Sequence, residues 1–242
     1  MKFSDLHLRA PLGDLEKTKE MIAKSSELGY SQIGVPLPFS IKQDAVDRVR
    51  QACVEFGVDF VTRLDLAPRS SNELLGSLRR FRRRFEVVSV LCSSKPLARQ
   101  AAKDRRVDLL SFSAVELKKR FFDWAEAELA SKSSAAFEID MAQVLSLESS
   151  IRVSFFSRLR REVSIAKSYG VPVVISSGAT EALLLRKPQD YASLATLFDI
   201  DTFLALESLS KNPADLVERN REKQGIDYVA PGVRVVGEMG SR

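Results

Sequence analysis

The stretch Gly170-Val171-Pro172-Val173-Val174-Ile175-Ser176-Ser177-Gly178 decides how the chain is read. Pro172 to Ser177 is a short apolar run rich in β-branched residues and flanked by glycines, the pattern of a buried strand. Just before it, Phe156, Leu159, Val163 and Ala166 recur at helical spacing, and the stripe stops at Gly170 with Pro172 beyond it. That is a helix end followed by a strand. The same unit recurs upstream. Apolar runs at Phe3–Arg9, Gln32–Pro38, Asp59–Leu66, Glu86–Cys92, Val107–Ser113 and Ala135–Met141 are each followed by an amphipathic segment. The seven onsets lie 29, 27, 27, 21, 28 and 37 residues apart, the length of a βα unit with its loops, so the strands are expected to pair in parallel.

Seven such units make either an open doubly wound sheet or a closed (β/α) barrel, and 242 residues is a barrel's size. No GxGxxG follows the first run and no GxxxxGK[ST] occurs, so the signatures of a nucleotide-binding open sheet are missing. The expected fold is a TIM-like (β/α) barrel, irregular at the last strand. It forms one domain over residues 1–236, with a loose tail at 237–242. The eighth strand falls either to Asp201–Leu206 or to Val229–Val236, while Asn212–Lys223 reads as a helix with Pro213 in its first turn. After the fifth strand, Ser113 and Glu116 form a capping box, and Leu117, Phe121, Trp124, Ala125 and Leu129 a single apolar stripe, predicting one continuous helix.

With 45% hydrophobic and 29% charged residues, the composition excludes a disordered chain. No apolar stretch approaches the roughly 18 residues of a membrane span. Lys2, Asp5, His7 and Arg9 rule out a signal peptide at the N-terminus, so a cytoplasmic protein is expected. The two cysteines, Cys53 and Cys92, read as packing residues. The single histidine is more restrictive: any serine–histidine triad must use His7, and a metal site with several imidazole ligands cannot be built.

Charge is unevenly distributed. Arg63 to Arg120 holds 15 basic and six acidic residues, a net +9, leaving −4 for the rest of a chain whose total is +5. Such clustering favours a polyanionic partner, because each phosphate neutralised releases condensed counterions. Arg79, Arg80, Arg82, Arg83 and Arg84 close the third helix, and Arg105 and Arg106 the fourth, where the helix dipole accounts for one or two cations but not five. Lys118, Lys119 and Arg120 fall in the second turn of the expected fifth helix, away from its apolar stripe. Arg158, Arg160 and Arg161 decorate the sixth. The candidate RNA-binding set is Arg79, Arg82, Arg83, Lys95, Arg105, Arg106, Lys118, Lys119, Arg120, Arg158, Arg161 and Arg186.

A barrel carries its functional groups at the carboxyl ends of its strands. There stand His7 and Arg9, Arg63 and Asp65, Ser93 and Lys95, Ser111, Glu138 and Asp140, and the turn Ser176-Ser177-Gly178. His7 is expected to share a strand face with Asp5 and Arg9, opposite Leu6 and Leu8. The Ser176-Ser177-Gly178 turn is either a phosphate cradle or a structural bend; glycine suits both. Glu138 and Asp140 share a strand face and offer paired carboxylates.

Several segments together resemble the family of archaeal ribonuclease P protein component 3 and its eukaryotic relative. They are Phe3-Ser4-Asp5-Leu6-His7, Val107-Asp108-Leu109-Leu110-Ser111-Phe112, Phe137-Glu138-Ile139, the stretch from Gly170 to Ala179, and Arg186-Lys187-Pro188-Gln189-Asp190. That family is similar to the polymerase-and-histidinol-phosphatase barrels, whose histidines and carboxylates hold catalytic metals. Here Asp5-Leu6-His7 replaces their His-x-His opening, so the resemblance implies that the metal cluster is lost and no cofactor is bound by the protein. It further implies a noncatalytic subunit of the ribonucleoprotein that removes 5′ leaders from precursor tRNA, with magnesium held by the RNA. Implied partners are ribonuclease P RNA, precursor tRNA through the complex, component 2 in a heterotetramer, and other ribonuclease P proteins. The arginine run of the third helix is denser than the family pattern, and Gln143–Ser150 carries no recognisable motif. The competing reading is a metal-dependent phosphoesterase using Asp5, His7, Glu138 and Asp140.

Overall fold

The computed structural model describes residues 1–225 in full and the backbone of 228–230 and 233–234. All seven expected strands are present: β1 (Phe3–Asp5), β2 (Tyr30–Pro36), β3 (Asp59–Leu66), β4 (Val87–Leu91), β5 (Leu109–Ser111), β6 (Ala136–Asp140) and β7 (Val173–Ser176). They pair in parallel, in sequence order, as one curved sheet. The described α-helices are α1 (Leu15–Glu27), α2 (Gln43–Glu55), α3 (Ser71–Phe81), α4 (Lys95–Lys103), α5 (Trp124–Ser133), α6 (Met141–Leu145), α7 (Ser149–Ser168), α8 (Pro188–Ala195), α9 (Thr202–Ser208) and α10 (Lys211–Gln224). The large core lies between strands and helices, where outward residues such as Ile33, Val35, Val88, Val90, Phe137 and Ile139 meet helical residues such as Met21, Leu74, Leu159 and Ala166.

The barrel interior is a second, smaller core. Leu6, the residue after β1, joins one residue from each of β3 to β7, Val61, Val87, Leu109, Ala136 and Val174, and Leu216 and Val217 of α10 close it from below. The β2 position belongs to Gly34, where a Cβ would stand 2.6 Å from the Leu6 carbonyl oxygen. The close approach of the first strand therefore requires glycine. Below the strands, α10 is anchored by Asn220, whose Nδ2 donates to Asp108 Oδ1 (2.8 Å) and to the Glu86 carbonyl (2.9 Å).

Among the described residues the sheet does not close by an eighth strand. Asp201–Leu206, one of the two candidates, is helical: Asp201 caps α9 by accepting from Leu204 N at 3.0 Å, while Ala205 and Leu209 pack into the core at helical spacing. Of Val229–Val236, the described residues pair antiparallel in a separate two-stranded ribbon, β8 (Tyr228–Ala230) with β9 (Val233–Arg234). The tail from 237 to 242 lies outside the described residues. The seam between β1 and β7 is bridged instead by loops and side chains. Ser4 N donates to Leu209 O (2.8 Å), Asn212 Nδ2 to Val173 O (2.8 Å) and Arg9 N to Ala179 O (2.9 Å). These bonds satisfy edge groups that a closed barrel would pair strand to strand.

Two local expectations differ. β1 stops at Asp5, so strand alternation fails beyond it: Leu6 enters the barrel interior and Leu8 the outer core rather than sharing one face. The helix expected from Ser113 to Leu129 is interrupted. Ser113 Oγ does accept from Glu116 N (3.2 Å), but only a 3-10 turn at Leu117–Lys119 follows, and α5 starts anew at Trp124 with Asp123 as its cap. Arg120 ends that turn by swinging inward, and Trp124 stays exposed instead of joining an apolar stripe. Cys53 and Cys92 are free and buried, and burial pushes the Cys53 thiol up to about 12.

Candidate functional site

Above the inner apolar layer, the inward strand positions turn polar. Strand alternation carries β3 from Val61 to Arg63 and Asp65, β4 from Val87 to Ser89, β5 from Leu109 to Ser111, β6 from Ala136 to Glu138 and Asp140, and β7 from Val174 to Ser176. Of these, Arg63, Asp65, Ser89, Ser111 and Asp140 line a cavity of about 200 Å³ at the barrel mouth, together with His7 and Arg9.

Arg63 organises the mouth. It is 1% exposed, yet every face of its guanidinium is bonded. Nη1 and Nη2 grip Glu138 Oε1 and Oε2 (2.5 and 2.8 Å), Nε donates to Asp65 Oδ1 (2.6 Å), and Nη1 also reaches the Leu6 carbonyl (2.9 Å). Ser89 Oγ (3.1 Å) and Ser176 Oγ (2.8 Å) complete the shell of Glu138. Burial alone would raise the Glu138 carboxyl, but the charge and hydrogen bonds of Arg63 hold it below the usual carboxylate range. The balance at Asp65 has the same direction, with Arg63 and His7 outweighing burial.

His7 Nε2 lies 3.2 Å from Asp65 Oδ2 and 3.1 Å from Arg9 Nε, so it donates to one or accepts from the other, never both at once. Its Nδ1, buried and without a hydrogen bond among the described residues, is 3.7 Å from Asp140 Oδ2. Asp140 is otherwise engaged by Arg9 Nη2, by Gln143 Nε2 (3.0 Å) and, as the cap of α6, by Ala142 N (3.0 Å). Gln143, in the stretch without a motif, thus belongs to the mouth and also accepts from Ala114 N.

The Ser176-Ser177-Gly178 turn is bonded into the fold. Its donors face inward: Ser176 Oγ to Glu138, and Ser177 N (2.9 Å) and Oγ to Asp5. Gly178 sits at φ +62°, and a Cβ there would stand 2.0 Å from Asp140 Oδ1. A phosphate at this turn would meet three carboxylates. Burial pushes the Asp5 carboxyl up, against the lowering effect of Ser177 and His7.

The basic residues separate into two groups. Arg120, 3% exposed, is withdrawn from the surface: its Nε and Nη2 clamp Glu162, and Nη1 reaches the carbonyls of Phe112 and Ser113. Arg82 is likewise used internally, on the Phe85 carbonyl (2.6 Å) and Asp108 (3.2 Å), and Arg106 forms two bonds to Asp104 (2.9 and 2.7 Å). Part of the third-helix surplus is therefore answered by the fold itself, including Arg84 on the Phe39 carbonyl. Lys95 and Lys119 are exposed but paired, with Asp123 (3.3 Å) and Glu116 (2.5 Å). Arg79, Arg80, Arg83, Arg105, Lys118, Arg161 and Arg186 are exposed and form no salt bridge among the described residues. Arg158 is tethered to the Arg120 carbonyl. Three candidates from two helices, Lys95 of α4 and Arg158 and Arg161 of α7, line one groove with Phe121.

The model of the RNase P subunit p30 family matches residues 2–225 of this chain. The chain belongs to that family. It is similar to ribonuclease P protein component 3 of Methanothermobacter thermautotrophicus, 24% identical with 98% of this chain and 97% of that one covered. The component 3 of Methanosarcina barkeri is 28% identical, with 98% and 97% covered. The p30 fold is shared with a chain in the cryo-EM structure of an archaeal ribonuclease P with mature tRNA: TM-score 0.82, 21% identity, 92% of this chain and 96% of that one. A more distant likeness is to a zinc-bound histidinol phosphate phosphatase of Lactococcus lactis, with a TM-score of 0.52, 10% identity, and 90% and 94% covered.

The donor set of this p30 barrel does not fit a metal cluster. Asp5, His7, Glu138 and Asp140 do converge on one mouth, but the carboxylates are taken: Glu138 by Arg63, Asp140 by Arg9 and Gln143, Asp5 by Ser177. A divalent cation would have to displace guanidinium groups or sit beside them against their charge. Among the described residues no group of three histidine, cysteine or acidic side chains is arranged to hold a metal. Nor is any helix there long and apolar enough to cross a membrane.

Proposed function

We propose that this chain acts within ribonuclease P by neutralising phosphates of the RNA subunit and stabilising its active fold, performing no bond chemistry of its own. The observation that carries the reading is the division of its cations. Arg63 and Arg9 neutralise the barrel mouth from within, while Arg79, Arg83, Arg105 and Lys118 stand in solvent without carboxylate partners among the described residues. Unpaired surface arginine and lysine are the groups that release counterions on meeting phosphate. The similarity to component 3 proteins and to a chain assembled with tRNA supports the same assignment. In this reading the holoenzyme is the cytoplasmic endoribonuclease that removes 5′ leaders from precursor tRNA, with magnesium held by its RNA. Component 2 pairs with this chain in a heterotetramer that joins the other protein subunits.

The test is the salt dependence of binding to ribonuclease P RNA. Arg79, Arg83 and Arg105 changed together to Ala are expected to make the slope of log K against log salt shallower by roughly 0.7 to 0.9 for each phosphate that is no longer neutralised, with an unchanged melting temperature. An unchanged slope would remove these residues from the interface.

A further inference from the structure

A groove with a volume of about 700 Å³ runs between the segment after the Leu117–Lys119 turn and the first turns of α7. Its floor is already rigid. The Arg120–Glu162 pair lies there, and the guanidinium is held between the rings of Phe155 and Phe112, at 5.0 and 5.8 Å. One part of the lining is apolar: Phe121 is half-buried, packed on one side against the main core and without a ring contact to another aromatic among the described residues, and Val153 is 78% exposed. The cations come from two helices. Arg158 and Arg161 stand on α7, and Lys95 at the start of α4. Arg158 is oriented by its bond to the Arg120 carbonyl, and Arg161 has no ion pair among the described residues. The two acids in the groove are neutralised, Asp123 by Lys95 and Glu162 by Arg120.

We infer that this groove takes an unpaired RNA nucleotide, its base against Phe121 and Val153 and its phosphates on Arg158 and Arg161. The inference rests on the RNA-binding reading above and narrows it, from phosphate neutralisation at large to capture of a splayed-out single-stranded segment. A duplex hides its base faces and presents phosphates on a convex surface, so a concave cleft with an apolar wall adds nothing to its binding. An unpaired nucleotide offers a flat π-face and a phosphate together, matching an aromatic ring beside two arginines. The volume lies within the roughly 300 to 1,000 Å³ typical of small-ligand clefts. An acidic peptide would satisfy the arginines but would bring carboxylates, not a planar face, to Phe121.

The test uses the intact protein, a short oligouridine carrying one 2-aminopurine, and a blunt RNA duplex of equal charge. The wild type should quench the 2-aminopurine on binding. Phe121→Leu should abolish the quenching and weaken oligouridine binding by roughly 5- to 150-fold, the equivalent of one base stack. Phe121→Tyr should retain both, and duplex affinity should stay unchanged throughout. Ser157→Leu, an exposed position in the same groove, should fill it without altering charge and reproduce the selective loss even if Phe121→Leu does not fold. Equal weakening of duplex and oligouridine, or no weakening of either, overturns the inference while leaving the RNA-binding reading intact. Displacement of the oligouridine by a polyglutamate peptide of equal charge, as effectively as by unlabelled oligouridine, overturns it in favour of a protein ligand. If the wild type binds neither RNA, the RNA-binding reading fails and this inference with it.

Discussion

Replacing Arg63 by Met removes a guanidinium that donates two bonds to Glu138, one to Asp65 and one to the Leu6 carbonyl. The cost comes mainly from what is left behind. Glu138 is buried, so its carboxylate loses its counter-charge in a site where water cannot replace it, whereas Asp65 is partly exposed and rehydrates. Breaking a buried pair from one side costs about 3 to 5 kcal/mol. Because Ser89 and Ser176 still donate to Glu138, the lower end, ~3 kcal/mol, is expected. Removing both partners, as Arg63→Met with Glu138→Met, should recover about one third to two thirds of the loss, leaving a deficit of about 1 to 2 kcal/mol for the orphaned serines and carbonyl. Urea denaturation of the wild type, both single variants and the double variant gives the coupling energy directly. The pH dependence adds a second check. Arg63 lowers the Glu138 carboxyl, so the pair's stabilisation is present above the ordinary value of 4.5 and is lost as pH falls through the lower folded value. The gap between wild type and Arg63→Met should therefore narrow in acid. A single-variant cost below about 1 kcal/mol, or a double variant as unstable as the sum of the singles, would refute this account of the mouth.

Gly178→Ala sets a Cβ against Asp140 Oδ1 at a positive φ, and should lower stability by more than the ~1 kcal/mol of an ordinary glycine exchange, read from the melting temperature. Glu126 is buried beside Asp123, and burial first, then Asp123, pushes its carboxyl up to about 7. Folding therefore favours its protonated form, a contribution complete below the ordinary 4.5 and lost as pH rises through about 7. Glu126→Gln should abolish that decline and be more stable than wild type at alkaline pH, by an amount on the order of 1 to 3 kcal/mol in denaturant titrations. Arg120→Ala should destabilise the fold by about 3 to 5 kcal/mol, as expected for a broken buried pair, while Lys118→Ala, two residues away and exposed, should stay within about 0.5 kcal/mol. Calorimetry of the two variants checks the contrast.

The strands were legible because each is an apolar run with its own boundaries, and their parallel pairing followed from spacing alone. What could not be read depends on contacts between distant segments. Arg120 looks like its neighbours Lys118 and Lys119 until α7 brings Glu162 to it, 42 residues on. Arg82 similarly meets Asp108 only through the pairing of β4 with β5. Arg63 carried a local signal that was available: it stands at an inward strand position, two residues from Val61 and two from Asp65, where a cation must find a partner within the barrel. Asp201–Leu206 is apolar enough for a strand, but its leading Asp is a helix cap and the helix it opens buries Ala205 and Ser208, three residues apart. Gln143 could have been suspected from its position three residues after Asp140, one helical turn along.

The proposed role, in which this p30 subunit serves the RNA and cleaves nothing itself, is open to a direct test. Precursor tRNA should be incubated with the reconstituted holoenzyme, with the same protein subunits lacking the RNA, and with the RNA lacking this chain, all at limiting magnesium. The account expects 5′ processing by the holoenzyme, none by the proteins without RNA, and a processing rate for the incomplete particle that recovers when magnesium is raised. Leader removal by the protein subunits in the absence of RNA would contradict it.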